Sequence, residues 1–176
     1  MKVLVTGGVR AGKSFHAESL LVAEPHVTYV APGPEADVDA DPDWAARVAM
    51  HRARRPEHWE TIETRDVAAA VRAAEGAVLI DCLGTWLTAL IGELDGWDRL
   101  RDDWEPVLHE RVADAAAAIG DHDGTVVAVT HEVGMSVPPE QWSGRVFRDL
   151  LGVVNQRIAQ ECDDVLLVVA GRALRL

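Results

Sequence analysis

Fifteen residues near the start, KVLVTGGVRAGKSFH (Lys2 to His16), constrain the fold of this chain more than any other stretch. A short apolar run, Val3-Leu4-Val5, meets glycines at Gly7, Gly8 and Gly12, then Lys13 and Ser14, and then a segment with helical character. This is the pattern G-x-x-x-x-G-K-[ST] in a strand–loop–helix setting. Glycines let backbone N–H groups wrap a phosphate chain, and the helix N-terminus adds partial positive charge. Gly7, Gly8, Val9, Arg10, Ala11, Gly12, Lys13 and Ser14 therefore form a candidate nucleotide cradle. Lys13 is expected to reach the β/γ-phosphates and the Ser14 hydroxyl to ligate Mg²⁺. A plain Gly-rich turn is the bland alternative; full spacing, Lys and Ser in the right context argue against it.

The 176 residues suit one domain, 1–176, able to bury about two-thirds of its unfolded surface. Acidic residues outnumber basic ones, 29 to 17, for a net charge of -12, which argues against a broad nucleic-acid-binding face. Cys82 and Cys162 form no C-x-x-C pair, so neither a disulfide framework nor a zinc knuckle is indicated, and a reducing cytoplasm is the simple reading. The opening apolar run breaks at Gly7, too short for a signal peptide, and nowhere do 18 apolar residues run together. A soluble protein without membrane insertion is expected.

Further along, Ser14 to Glu24 reads as helix and His26 to Val30 as a buried strand stopped by Pro32-Gly33-Pro34. Glu35 to Asp43 reads as a mobile acidic connector. Asp41-Pro42 supplies an N-cap and an N1 proline for a helix reaching about Arg55. That helix carries Arg47, His51, Arg52, Arg54 and Arg55, a cationic cluster in an acidic chain, ended by Pro56. Trp59 to Thr64 is a candidate strand, Asp66 to Ala74 a helix, and Ala77 to Asp81 a buried strand ending in a carboxylate. Helices are expected over Thr85 to Leu94 and about Asp98 to Ile119, with Trp86, Trp97 and Trp104 as packing residues. Thr125 to Thr130 is a strand, followed by the loop His131 to Pro139 and a long helix from about Ser143 to Glu161. Asp164 to Ala170 and Ala173 to Leu176 close the chain as strands. The pattern predicts an α/β chain with a P-loop (RecA-like) NTPase fold: a mostly parallel sheet covered by helices on both faces, with a small antiparallel strand at the C-terminus. Ligands bind such sheets at the carboxyl ends of the strands, where the glycine loop, Pro32-Gly33, Asp81 and Thr130-His131-Glu132 all fall.

Asp81 is a candidate Mg²⁺ ligand, with helix capping as its alternative. Glu132 is a weaker competitor, and His131-Glu132 is not a zinc motif because Met135 stands where H-E-x-x-H needs histidine. A histidine on a solvated basic helix is usually surface, yet imidazole is a good nucleophile at neutral pH and nearby arginines would neutralise phosphates during attack on a nucleotide. On residues alone His51 stays open between these, and Arg52, Arg54 and Arg55 between phosphate contact and solvated face. His16, His26, His58, His109 and His122 show no ligand spacing and read as structural.

Four segments carry a resemblance: LVTGGVRAGKSFHAE, AARVAMHRARRPEHWET, VLIDCLGTWLT, and THEVGMSVPPEQWSGRVFRDLLGVVNQRIAQ with its closing DDVLLVVAG. Together they closely resemble the bifunctional adenosylcobinamide kinase/adenosylcobinamide-phosphate guanylyltransferases of cobalamin biosynthesis, over nearly the full length. The resemblance implies two reactions: phosphoryl transfer from ATP or GTP to the aminopropanol hydroxyl of the corrinoid adenosylcobinamide, then attack on GTP giving a guanylylated histidine whose GMP passes to adenosylcobinamide phosphate. It puts the nucleophile at His51 and nucleotide contacts at Gly7 to Ser14, at Ala31, Pro32 and Gly33, at Arg52, Ala53, Arg54 and Arg55, and at Glu63 and Asp81. It also implies a homo-oligomer, described in the family as a trimer. The chain departs from the pattern at Pro32-Gly33, in place of a hydroxyl-bearing turn, and at His131 and Ala89, where asparagine is common. A plain P-loop small-molecule kinase, indifferent to His51, and a non-catalytic nucleotide-binding switch are the competing readings.

Overall fold

The structure, a computed structural model, describes residues 1–34 and 39–176. In chain order it runs β1 (Lys2–Gly7), α1 (Lys13–Leu20), β2 (Val27–Ala31), α2 (Pro42–Arg54), β3 (Glu60–Glu63), α3 (Val67–Ala73), β4 (Ala77–Asp81) and α4 (Leu83–Glu93). A 3₁₀ turn (Arg101–Asp103), α5 (Glu105–Asp121), β5 (Val126–Val129), α6 (Trp142–Ala159), β6 (Asp164–Val169) and β7 (Arg172–Arg175) complete it. The seven strands form one sheet in the order β3-β2-β4-β5-β1-β6-β7, all parallel except the final β6–β7 pair. This is the P-loop fold expected from the alternation of strands and helices, with its antiparallel strand at the C-terminus.

Period-two alternation splits the strands between two apolar layers. Leu4, Val78, Ile80, Val126 and Ala128 face a core filled by α3, α4, α5 and α6. Val3, Val5, Leu79, Val127 and Val129 face the other way, onto Ala17 and Leu21 from α1 and its following turn. The two coats are therefore unequal. On the thicker side Trp86, Leu87, Leu90 and Ile91 of α4 are at most 2% exposed, each contributing about 1.5–3 kcal/mol of burial. The Trp86 indole N–H donates to the Arg65 carbonyl at 2.9 Å. Trp104 is equally buried and Trp97 packs against the same layer, so the three tryptophans are packing residues.

Several element boundaries move from their sequence expectations for local reasons. The first helix ends at Leu20, not Glu24: Leu21 N–H bonds back to Glu18, and Pro25 disfavours a helical Glu24. The helix expected from Asp98 is broken, because Pro106 lacks an N–H and is tolerated only in a first turn; a 3₁₀ turn precedes it and α5 starts at Glu105. Leu83, rather than Thr85, opens α4. Of the expected acidic connector, residues 35–38 lie outside the described residues, while Pro42 and Asp43 already belong to α2. Among the described residues no helix is long and apolar enough to cross a membrane.

Candidate functional site

The glycine loop leaves β1 through Gly7, whose φ is +146° and where an added Cβ would lie 2.3 Å from the Val168 carbonyl oxygen of β6. Only glycine fits that approach. The loop re-enters helix at Gly12, left-handed at φ +99° and the N-cap of α1. Gly171, in the β6–β7 turn, donates its N–H to the Ala11 carbonyl at 2.9 Å and Glu132 N–H donates to the Gly7 carbonyl at 3.1 Å, so neighbouring strands hold the loop from two sides. Lys13 is buried, and its Nζ donates to the Gly8 carbonyl at 2.7 Å. Burial pushes the Lys13 pKa down, against an opposite pull from Cys82 and Asp81. With that ammonium on its own loop, the lysine sits where an incoming phosphate would compete for it.

Asp81, at the end of β4, is the hub of the site. Its side chain is 7% exposed, the Tyr29 hydroxyl donates to its Oδ2 at 2.9 Å, and His51 Nδ1 lies 3.5 Å from the same oxygen. Burial alone would raise the carboxyl's pKa, but hydrogen bonds from His51, Ser14 and Tyr29 hold it below the ordinary aspartate value. The capping alternative fails: the N-cap of α4 is Cys82, and no side chain caps that helix. Arg55 lies over the Tyr29 ring, 3.4 Å from its centroid, so α2 is tied to this cluster through both Arg55 and His51.

A cavity of about 440 Å³ opens at these strand ends. Among the sequence-derived site residues, Arg10, Ala11, Gly12, Lys13 and Ser14 line it, together with Ala31, Gly33, His51, Arg54, Arg55, Glu63 and Asp81. Gly7 lies beneath the loop, while Gly8 and Val9 face solvent outside the cavity. Pro32 is buried, and Ala53 is exposed on the far side of α2. Arg52 turns away to pair with Glu63 at a second, shallower cleft it shares with Arg55 and Trp59. Glu132 does not reach the cavity; its Oε1 accepts from Gly134 N–H at 2.7 Å.

Sequence reasoning did not single out Tyr29, Trp44 or Thr85, and all three line the cavity, as do Arg47 of the cationic cluster and His131 of the strand-end loop. Trp44 and Arg47 stand seven and four residues ahead of His51, on the same helix face, a spacing that would have found Trp44. His131 follows β5, the strand lying between β1 and β4, and so falls between Lys13 and Asp81. Its Nδ1 is 3.8 Å from Cys82 Sγ, and burial together with the Lys13 charge pushes its pKa down to about 4. Asn155 of α6 fixes this corner: its Oδ1 accepts from the Thr130 hydroxyl at 2.6 Å and its Nδ2 donates to the His131 carbonyl at 3.1 Å.

The donor set suits Mg²⁺. Ser14 and Asp81 bring a hydroxyl and a carboxylate within hydrogen-bonding distance, hard oxygen ligands of the kind that hold Mg²⁺ alongside phosphate oxygens. Among the described residues no group of three or more His, Cys, Asp or Glu gathers as a protein-only metal cage.

A solved structure with the same fold is that of a prototypical ATPase from the type III secretion system of pathogenic bacteria, with a TM-score of 0.57 at 11% identity. The likeness covers 94% of this chain and 50% of that one, and bears on fold alone. Curated relatives are much nearer in sequence. The bifunctional adenosylcobalamin biosynthesis proteins CobU of Salmonella typhimurium and Escherichia coli are 38% and 37% identical, each across all of this chain and 99% of their own length. CobP of Pseudomonas aeruginosa, with the same descriptive name, is 35% identical over all of this chain and 97% of its own. The profile of the family described as cobinamide kinase / cobinamide phosphate guanyltransferase (CobU) matches residues 3–176, and with relatives this similar over their full lengths the chain belongs to that family.

Proposed function

We propose that this chain is a transferase that phosphorylates the aminopropanol hydroxyl of adenosylcobinamide with ATP or GTP, then converts the product to adenosylcobinamide-GDP through a guanylylated His51. The observation that carries the reading is the meeting of two chemistries in one cavity: the phosphate loop with Lys13 and Ser14, and an imidazole whose Nδ1 is 3.5 Å from Asp81.

In the first reaction the substrate hydroxyl oxygen bonds to the γ-phosphorus as the γ–β bridge opens, its proton passing to solvent and the electron pair leaving with the nucleoside diphosphate, and Lys13 exchanges the Gly8 carbonyl for phosphate oxygens. In the second, His51 Nδ1 lies 3.5 Å from both the Asp81 carboxylate and Arg54 Nη2; in the tautomer that carries its proton on Nδ1 and donates it to Asp81, the Nε2 lone pair is free to attack the α-phosphorus of GTP. The N–P bond forms as the α–β bridge breaks, the electron pair departs with pyrophosphate, and the positive charge on the ring is met by the Asp81 carboxylate. A phosphate oxygen of adenosylcobinamide phosphate then displaces the imidazole. Mg²⁺, when held by Ser14 and Asp81, supplies charge neutralisation of the phosphate oxygens. With this reading go a small-molecule corrinoid partner, a homo-oligomer and a cytoplasmic setting.

The test is product analysis with adenosylcobinamide, ATP, GTP and Mg²⁺. Wild type should yield adenosylcobinamide-GDP, and His51→Ala should stop at adenosylcobinamide phosphate. Formation of the GDP derivative by His51→Ala at the wild-type rate would contradict the covalent route.

A further inference from the structure

The helix that carries His51 and its C-cap residue together hold four arginines, and three of them are already engaged. Arg52 pairs with Glu63, Arg54 with Glu18 at 3.1 Å, and Arg55 lies over Tyr29 and donates to the Thr61 hydroxyl at 3.1 Å. Arg47 differs: among the described residues it forms no ion pair, yet it lines the cavity, and its charge is felt at Lys13 and at His131. A guanidinium facing an ammonium across a cavity, with no carboxylate paired to it among the described residues, is arranged for an anion that arrives from outside.

Its position says which part of the anion. Arg47 precedes His51 by one helical turn on the same face, about 6 Å along the axis, a distance on the scale of a triphosphate from its α- to its γ-phosphorus. With the α-phosphorus at the His51 imidazole and the phosphate tail running toward Lys13, the β- and γ-phosphates lie between the ammonium and the guanidinium. We infer that Arg47 is a further catalytic residue, one that grips the pyrophosphate portion of the nucleotide and stabilises it as leaving group when His51 attacks. As the N–P bond forms and the α–β bridging bond breaks, the electron pair moves onto the bridging oxygen, and Arg47 donates hydrogen bonds to the charge that builds there. The inference rests on the guanylyl-transfer reading above.

Two measurements on the full chain test it: affinity for GTP against GMP, and the rate of label incorporation from α-labelled GTP at saturating nucleotide. Arg47 is exposed, so its replacement should leave the fold intact, which thermal melting checks. Arg47→Ala should weaken GTP by about tenfold or more, as expected for loss of a charge-assisted contact, while GMP binding stays within about twofold. Labelling should slow by about 100-fold, the scale for removing one transition-state donor, and Arg47→Lys should recover only part of it because it lacks the bidentate fork. Equal weakening of GTP and GMP, or unchanged GTP affinity and labelling, would overturn the assignment. Should wild type fail to label at all, the guanylylation reading falls, while the GTP-against-GMP comparison still decides whether Arg47 holds the phosphate tail.

Discussion

His131 links the chemistry of one side chain to the stability of the whole. Its ordinary pKa of 6.5 falls to about 4 because it is half-buried and near the Lys13 ammonium. Below pH 6.5 the unfolded chain therefore binds a proton that the folded chain refuses. The stability this group contributes is fully present above that pH and is lost as pH falls toward 4. Between pH 7 and pH 5 the loss is about 2 kcal/mol. Urea unfolding at the two pH values should show wild type losing about that much more than His131→Asn; parallel losses would show that the imidazole is not held neutral. Gly12, Lys13, Ser14 and Asp81, which line the cavity, were legible as candidates because their pattern is one of local spacing. Tyr29 was not. Its hydroxyl meets Asp81 across 52 positions of sequence, and within a buried strand it reads only as an apolar residue.

At the scale of elements, α2 is the exception among the helices. Ala45 is its one buried residue, so its order depends on its ends: Asp41 Oδ1 accepts from Trp44 N–H at 2.9 Å, Pro42 stands in the first turn, and the Trp44 indole donates to the Pro34 carbonyl at 3.1 Å. Asp41→Ala removes the cap, a loss of about 1 kcal/mol that falls on this helix alone. Hydrogen exchange of its first-turn amides should quicken about fivefold, with α4 and α5 unchanged. Unaltered exchange would mean that packing, not capping, holds the helix. The cap was readable in Asp41-Pro42 because capping is a local device. The start of α5 was misread because helical periodicity continues through the segment before Pro106, where the chain instead forms a 3₁₀ turn.

For the whole molecule, alternating strands and helices foretold a parallel sheet but not its order, since pairing depends on contacts distant in sequence. Placing β5 between β1 and β4 sets Thr130 and His131 between the phosphate loop and Asp81, and Asn155 holds them there. The same topology leaves the sheet thickly coated by four helices on one face and by α1 on the other. Charge is distributed with equal economy: a chain of net charge -12 gathers Lys13, Arg47, Arg54 and Arg55 around one cavity. On the proposed reading the loop calls for a nucleotide, and the helix that carries His51 beside Asp81 adds a second displacement to the first. That claim is tested most directly by incubating the protein with α-labelled GTP and Mg²⁺ and mapping the label. The account predicts an acid-labile phosphoramidate confined to the peptide containing His51 and absent from His51→Ala; an unlabelled wild type, or full labelling of His51→Ala, would contradict it.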